Sequence, residues 1–144
     1  GVGGTASASW SRKRDVALVA RADGVMKGVY DMYEALRRIA AFDAAGADCL
    51  YVPLPPSLED LKRVCAVTEK PVNALAAGPF AKINRDTFAA IGVARISLGS
   101  ALAKVTHASL LKAARGILND GDFSELLNGA SGDEIEALLT HGRD

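Results

Sequence analysis

The sequence predicts an α/β protein built from four consecutive (β/α) units around a parallel sheet. Three observations lead to this fold class. Short apolar runs alternate with segments in which apolar residues recur at helical spacing. Each run is followed within a few residues by glycine or proline. The runs begin near residues 16, 48, 71 and 93, which leaves room for one helix between successive parallel strands.

The first unit begins with Val16 to Ala20, a continuous apolar run typical of a strand covered on both faces. A helix is predicted from Asp31 to Ala45, where apolar residues recur at helical spacing. Asp31 is a suitable N-cap with Glu34 three residues later, and Gly46 ends the helix.

The remaining units follow the same order of strand and helix. The predicted strands are Asp48 to Pro53, Pro71 to about Ala76, and the run VARISLG. The predicted helices run from Ser57 to about Thr68, from Asp86 or Thr87 to a point before Gly92, from about Ser100 to Leu118, and from Asp133 to Leu139 with Ser131 or Asp133 as cap.

Four units form either a small open sheet or half of an eight-stranded barrel, since a complete barrel typically needs about 250 residues and this chain has 144. We divide the chain into a flexible amino-terminal segment, residues 1–15, a domain of four (β/α) units, residues 16–126, and a carboxyl-terminal helix and tail, residues 127–144. The apolar tail could pack on a neighbouring subunit or equally well on its own barrel.

Composition excludes several classes of function. The chain has 17 basic and 17 acidic residues and no block of like charge, so it lacks the electrostatic footprint of a nucleic-acid-binding protein. No run of 18 apolar residues and no signal-peptide pattern is present, which predicts a soluble cytoplasmic protein without a membrane partner. Two cysteines, Cys49 and Cys65, cannot form a disulfide framework and are expected to be buried and unreactive.

Polar residues gather where the predicted strands end. Arg21 and Asp23 end the first strand, Asn73 lies in the third, and Ser97 and Gly99 end the fourth. The carboxyl ends of parallel strands meet at one edge of the sheet, where an arginine fork suits a carboxylate or phosphonate. The amide of Asn73 could bind the same ligand, and backbone N–H groups near Gly99 could bind an anion.

Each of these residues also has a purely structural interpretation. Arg21 and Asp23 could form only an internal ion pair, Asn73 could satisfy backbone groups, and SLGSAL could be a tight strand-to-helix turn. The chain has no P-loop, no GxGxxG, no nucleophile elbow and no metal-ligand cluster. No catalytic residue and no metal ligand can therefore be assigned from the sequence.

Four segments in order resemble the carboxyl-terminal half of the isocitrate lyase and phosphoenolpyruvate mutase superfamily. LVARADG resembles the fifth barrel strand, ALRRIAAFDAAGADCLYVP the following helix and the sixth, KPVNALAAGP the seventh and IGVARISLGSAL the eighth. LLKAARGILNDGDFSEL resembles the last barrel helix and its exit. The resemblance runs from about Val16 to Leu126 and implies half of a TIM-type barrel, strands 5 to 8, with carboxyl-terminal helices.

The resemblance implies an Mg²⁺-dependent lyase or mutase that makes or breaks a C–C or P–C bond in small α-keto or enol acids. It assigns Arg21 to the substrate carboxylate or phosphonate, with Asn73, Ser97 and Gly99 as further substrate-binding positions and Asp23 in support. YVPLP stands where lyases with larger substrates carry a glutamate. This departure favours a phosphonomutase-like, carboxyvinyl-carboxyphosphonate phosphorylmutase-like or oxaloacetate-decarboxylase-like protein.

The superfamily's Mg²⁺ carboxylates and gating loop belong to its first four strands, and nothing in this chain matches them. We therefore expect the Mg²⁺ ligands to lie outside this chain, and we expect the chain to pair with a missing half or to form a homo-oligomer. Two alternatives to an incomplete lyase or mutase stay open. One is another TIM-barrel enzyme that binds phosphate at strands 7 and 8, near Gly78 and Gly99. The other is a non-catalytic half-barrel assembly module.

Overall fold

The computed structural model describes residues 16–141 of the chain. The chain divides into two compact units, Gly1–Gly99 and Ser100–Asp144, and each is described by itself. The predicted segment 1–15 lies outside the described residues. The predicted domain boundary after residue 126 stays a prediction.

The first unit contains a four-stranded parallel sheet in the order β1-β2-β3-β4. The strands are β1 (Val19–Arg21), β2 (Cys49–Tyr51), β3 (Val72–Leu75) and β4 (Arg95–Ser97). This confirms the predicted fold class of four parallel (β/α) units. The first strand lies later than Val16 to Ala20, because the ladder joins Val19, Ala20 and Arg21 to Cys49, Leu50 and Tyr51. Arg21 therefore belongs to the strand itself.

Three helices follow the first three strands: α1 (Met32–Ala44), α2 (Leu58–Ala66) and α3 (Arg85–Ala90). The predicted caps of the first two are confirmed. An Asp31 carboxylate oxygen accepts a hydrogen bond from the Glu34 backbone N–H at 3.0 Å, and the Ser57 hydroxyl oxygen accepts one from the Asp60 N–H at 3.0 Å. These bonds satisfy donors that the first turn leaves free.

The third helix begins earlier than predicted. Asn84 caps it by accepting a hydrogen bond from the Thr87 N–H at 2.8 Å, so the helix starts at Arg85 rather than at Asp86 or Thr87. The Asn84 side chain satisfies a backbone N–H of the first turn, and the residue before it, Ile83, packs against the core.

The core lies on one face of the sheet. Leu50, Val52, Val72 and Ala74 on that face are almost fully buried, as are Ala35 and Ile39 of α1 and Leu61 and Val64 of α2. Alternation along a strand sends the residues between them to the opposite face. That opposite face carries the polar residues described below.

The second unit consists of helices and turns. It contains α4 (Ala101–Arg115), a π-helical turn (Gly116–Asp120), a 3₁₀ turn (Ser124–Asn128) and α5 (Gly132–Thr140). Of the two predicted caps of α5, Ser131 and Asp133, the structure shows Ser131. Lys112 and Glu125 form an ion pair at 2.8 Å within this unit. Among the described residues, no helix combines the length and the apolar character needed to cross a bilayer.

Candidate functional site

One row of side chains crosses the sheet on the face opposite the core. Arg21 stands in register with Tyr51, Tyr51 with Asn73, and Asn73 with Arg95. Residues in register on neighbouring parallel strands point to the same face, so the four side chains share one face of the sheet. Arg95 is the first residue of β4, whereas Arg21 and Tyr51 are the last residues of their strands and lie at the carboxyl edge of the sheet. In parallel α/β folds this is the edge at which ligands bind.

Arg21 is held in a defined orientation before any ligand binds. Its Nε and Nη2 donate hydrogen bonds to Oδ1 of Asp23 at 3.2 and 3.0 Å, and its guanidinium lies 4.9 Å from the centroid of the Tyr51 ring. The Arg21 side chain is nevertheless 50% exposed. The ion pair considered from the sequence therefore forms, and it leaves part of the guanidinium fork accessible to an anion.

Asn73 and Ser97 form a polar pair between the last two strands. The Asn73 Nδ2 donates to the Ser97 hydroxyl oxygen at 2.9 Å, and that hydroxyl donates to the Ala74 carbonyl oxygen at 3.2 Å. Because the Ser97 proton is used on Ala74, Ser97 can only accept from Asn73, and this fixes the orientation of the amide. The Asn73 Oδ1 is buried and has no hydrogen-bond donor among the described residues.

An unpaired buried carbonyl oxygen is costly, because it has lost its hydrogen bonds to water and gained none. Asn73 is 1% exposed, so the cost is not relieved by partial solvation. Groups of this kind accumulate at sites where a ligand supplies the missing partner. Of the predicted site residues, Asn73 therefore carries the clearest unmet hydrogen-bonding capacity.

Gly99 has a backbone conformation that explains why the position holds glycine. Its φ is +55°, and an added Cβ would lie 3.3 Å from the Leu75 Cδ1. Both the positive φ and the close neighbour disfavour any larger residue. Gly78 has a similar φ of +54° with open space around it. Anion binding at either glycine stays a prediction.

The described residues do not fit a magnesium site. Mg²⁺ requires oxygen ligands, mainly carboxylates, in near-octahedral geometry. Residues 16–141 contain no cluster of three or more aspartates, glutamates, histidines or cysteines able to hold a metal. At the strand ends, the Asp23 carboxylate is ion-paired with Arg21.

Neither cysteine has the properties of a nucleophile. Burial raises the pKa of both the Cys49 and the Cys65 thiol above the ordinary value, with an opposing influence of Arg95 on Cys49. A raised pKa keeps the thiol protonated at neutral pH, and the thiolate is the reactive form. Cys49 is buried as expected, whereas Cys65 is only partly buried, and the raised pKa of both agrees with the expectation of unreactive thiols.

The residues singled out from the sequence did not include Arg95. Arg95 lies two positions before Ser97 and therefore on the same face of β4. The alternation in VARIS was the available signal. The contact between Arg21 and Tyr51 was also missed, because it depends on the register between β1 and β2.

The fold is a set of four (β/α) units around a parallel sheet, with a row of polar side chains on the sheet face opposite the core. The chain belongs to the phosphoenolpyruvate phosphomutase family, whose sequence model matches residues 4–118. The superfamily resemblance seen in the sequence is confirmed. A comparison with curated protein sequences finds no significant match.

Solved structures agree with this assignment. A provisionally assigned lyase/mutase from Burkholderia cenocepacia J2315 is 28% identical, with a TM-score of 0.85 over 94% of this chain and 50% of that one. Phosphoenolpyruvate phosphomutase from Streptomyces platensis subsp. rosaceus is 20% identical, with a TM-score of 0.69 over 88% of this chain and 45% of that one. Phosphonopyruvate hydrolase in complex with oxalate and Mg²⁺ is 21% identical, with a TM-score of 0.70 over 94% of this chain and 50% of that one.

This chain therefore spans about half the length of the structures that it matches. Its four units correspond to half of a TIM-type barrel, as the sequence predicted. The two structures at 20 and 21% identity support the fold alone.

Proposed function

We propose that this chain binds a small carboxylate or phosphonate anion at the carboxyl end of its sheet and serves a lyase or mutase reaction on α-keto or enol acids. The reaction makes or breaks a C–C or P–C bond next to the carboxylate. The observation that carries the proposal is the Arg21 guanidinium, oriented by Asp23 and Tyr51 and half exposed. Membership of the family supports the reaction class.

Arg21 suits an anion whose charge grows during the reaction. Asp23 occupies Nε and one side of Nη2, so Nη1 and the remaining Nη2 hydrogen are left for a ligand. Donors that are positioned in advance stabilise a developing enolate-like charge without reorganisation during the reaction. Asp23 and Tyr51 provide that positioning.

Asn73 adds a hydrogen-bond acceptor to the same surface. Its Oδ1 needs a donor, and a hydroxyl or enol O–H on the ligand has the required chemistry. Ser97 has an indirect role, because its hydrogen bond with the Asn73 Nδ2 fixes the orientation of the amide that faces the ligand. Gly99 would contribute backbone N–H groups to the same anion. Homo-oligomer formation and a cytoplasmic location stay predictions from the sequence.

Isothermal titration calorimetry with oxalate, a mimic of an enolate, tests this proposal. We expect the chain to bind oxalate and Arg21→Ala to weaken binding by at least about tenfold, since charge-assisted hydrogen bonds are lost. Arg21→Lys keeps the charge without the fork and should recover part of the affinity. Arg37→Ala is the matched control, because Arg37 is an exposed arginine ion-paired to Glu34 on α1.

Equal oxalate affinity of Arg21→Ala and Arg37→Ala would overturn the assignment of Arg21. The titrations are run with and without Mg²⁺, so that a metal requirement is measured rather than assumed. Binding of inorganic phosphate that survives Arg21→Ala would favour a phosphate site at the last two strands. A stable oligomer that binds neither anion would favour the assembly module.

A further inference from the structure

The loop between β1 and α1 carries Asp23, the residue that orients the Arg21 guanidinium. Backbone hydrogen bonds close this loop on itself. The Asp23 carbonyl oxygen accepts a hydrogen bond from the Lys27 N–H at 3.3 Å, and the Gly24 carbonyl oxygen accepts one from the Val29 N–H at 2.8 Å. Because its own carbonyl takes part in these bonds, Asp23 is positioned together with the rest of the β1–α1 loop.

Tyr30 packs directly on Gly24 within the same loop. A Cβ atom added to Gly24 would overlap three atoms of the Tyr30 ring, Cδ1, Cε1 and Cζ. Gly24 does not have the positive φ that Gly28 has in this loop, so backbone conformation is not what requires a glycine there. The ring occupies the space that a side chain at position 24 would need.

The Tyr30 ring is held by contacts on its other atoms. It is partly buried and packs against the hydrophobic core. The guanidinium of Arg38 on α1 lies 4.6 Å from the ring centroid, a cation–π contact. The Arg38 Nε in turn donates to the Glu34 Oε1 at 2.8 Å. The ring can therefore move away from Gly24 only by giving up contacts with the core and with α1.

This support reaches the candidate site through one peptide bond. Gly24 follows Asp23 directly, and the Asp23 Oδ1 accepts both hydrogen bonds that orient Arg21, at 3.2 and 3.0 Å. Hydrogen bonds of this length are lost when the two atoms separate by a further half ångström or so. Misplacement of a functional group by about 1 Å can cost up to about a hundredfold in function. A small shift of Gly24 is thus enough to release the guanidinium.

We propose that Tyr30 is a positioning residue for the anion site: its ring, packed on Gly24, fixes the β1–α1 loop and thereby holds the Asp23 carboxylate on the Arg21 guanidinium. This inference rests on the proposed function, because it assumes that Arg21 binds the anion. Tyr30 acts on the ligand through Asp23 and Arg21.

A double-mutant cycle of Gly24→Ala and Tyr30→Ala, read out by oxalate titration, tests the packing. We expect Gly24→Ala to weaken oxalate binding at least about fivefold, since the added methyl group displaces the loop from the ring. Tyr30→Ala should weaken binding at least about threefold, because the loop loses its support. In the Tyr30→Ala background, Gly24→Ala should change the affinity less than about twofold, because the ring is gone. Equal effects of Gly24→Ala in both backgrounds would overturn the inference.

Two variants serve as matched controls. Gly132→Ala adds the same methyl group where no atom lies within 4 Å, and Tyr33→Ala removes a tyrosine of α1 that is 77% exposed. Both should change oxalate affinity less than about twofold. Urea unfolding of every variant separates stability from positioning. If Tyr30→Ala and Gly24→Ala lower only the free energy of unfolding and leave the oxalate affinity of the folded chain unchanged, Tyr30 is merely structural and the inference is wrong.

The Arg21 Nε–H resonance in ¹H–¹⁵N NMR spectra reports the bond to Asp23 without any ligand. Arg21→Lys removes this resonance and so assigns it. Gly24→Ala should shift the resonance towards its position in Asp23→Ala, whereas Gly132→Ala should leave it unchanged. An unshifted resonance in Gly24→Ala would mean that the loop does not control Asp23, which contradicts the inference.

The outcomes for the positioning role and for the proposed function are distinguishable. If Arg21→Ala weakens oxalate binding but neither Gly24→Ala nor Tyr30→Ala does, the inference is wrong and the proposed function stands. If the unsubstituted chain binds no oxalate, the proposed function fails, and the Nε–H resonance alone decides whether Tyr30 holds Asp23 on Arg21.

Discussion

Replacing Asn73 by alanine should cost little folding free energy, although Asn73 is only 1% exposed. The substitution removes the hydrogen bond from Nδ2 to Ser97, a loss of about 1 kcal/mol. It also removes Oδ1, whose burial without a donor costs about 1–3 kcal/mol. A cavity of a few tens of Å³ costs roughly 0.5–1 kcal/mol. These contributions nearly cancel, so the free energy of unfolding should change by less than about 1 kcal/mol.

Ser97→Ala should be the more destabilising substitution, although Ser97 is less buried than Asn73. Without the Ser97 hydroxyl, the buried Nδ2 of Asn73 loses its acceptor while Oδ1 still lacks a donor. Leaving one more buried polar group unsatisfied costs about 1–3 kcal/mol. Urea unfolding followed by circular dichroism, with linear extrapolation to water, measures both variants against the unsubstituted chain.

Comparing the stability losses of Asn73→Ala and Ser97→Ala tests whether the Asn73 Oδ1 lacks a donor in solution. A loss of more than about 2 kcal/mol for Asn73→Ala, together with a smaller loss for Ser97→Ala, would mean that Oδ1 has a partner in solution. The reasoning that Oδ1 is reserved for a ligand donor would then be refuted. Titration of Asn73→Ala with malate, whose hydroxyl can donate to Oδ1, gives the functional counterpart, since affinity should fall even though stability is kept.

Two further predictions concern the scaffold. Phe88→Ala should lower the free energy of unfolding by about 3–5 kcal/mol. The reason is that Phe88 is 1% exposed and its ring stacks on the Phe80 ring, with 6.3 Å between the ring centroids. A loss below about 1.5 kcal/mol in urea unfolding would contradict this prediction. The hydrogen bond from Arg37 is the main cause that lowers the pKa of Glu34 from 4.5 to about 2. The stability due to this depressed pKa is present above pH 4.5 and is lost as the pH falls towards 2, which an NMR titration of Glu34 and the Glu34→Gln variant will check.

Much of the fold could be predicted because it depends on local patterns. The caps at Asp31 and Ser57 use side chains three residues from their donors, so the sequence shows both partners together. The start of α3 could not be predicted in the same way, since Asn84 and Asp86 can both cap a helix. The structure shows that Asn84 is the cap, with Ile83 before it packed against the core.

The candidate site, like the fold, could be predicted from the sequence only where it depends on local patterns. Arg21, Asp23, Asn73 and Ser97 could be proposed from the sequence, because the carboxyl ends of parallel strands converge in any such fold. The hydrogen bond between Asn73 and Ser97 joins residues 24 positions apart and could not be predicted from local spacing. The same applies to Arg95, whose place beside Asn73 depends on the register between β3 and β4.

The sequence by itself determined which segments become strands and helices, their order, and the family to which the chain belongs, because periodicity, caps and motifs are properties of neighbouring residues. Only the tertiary structure decided which side chains meet on the sheet. Strand register depends on the packing of residues far apart in the chain. It placed Tyr51 under Arg21, left the Asn73 Oδ1 without a donor among residues 16–141, and put Arg95 in register with Asn73.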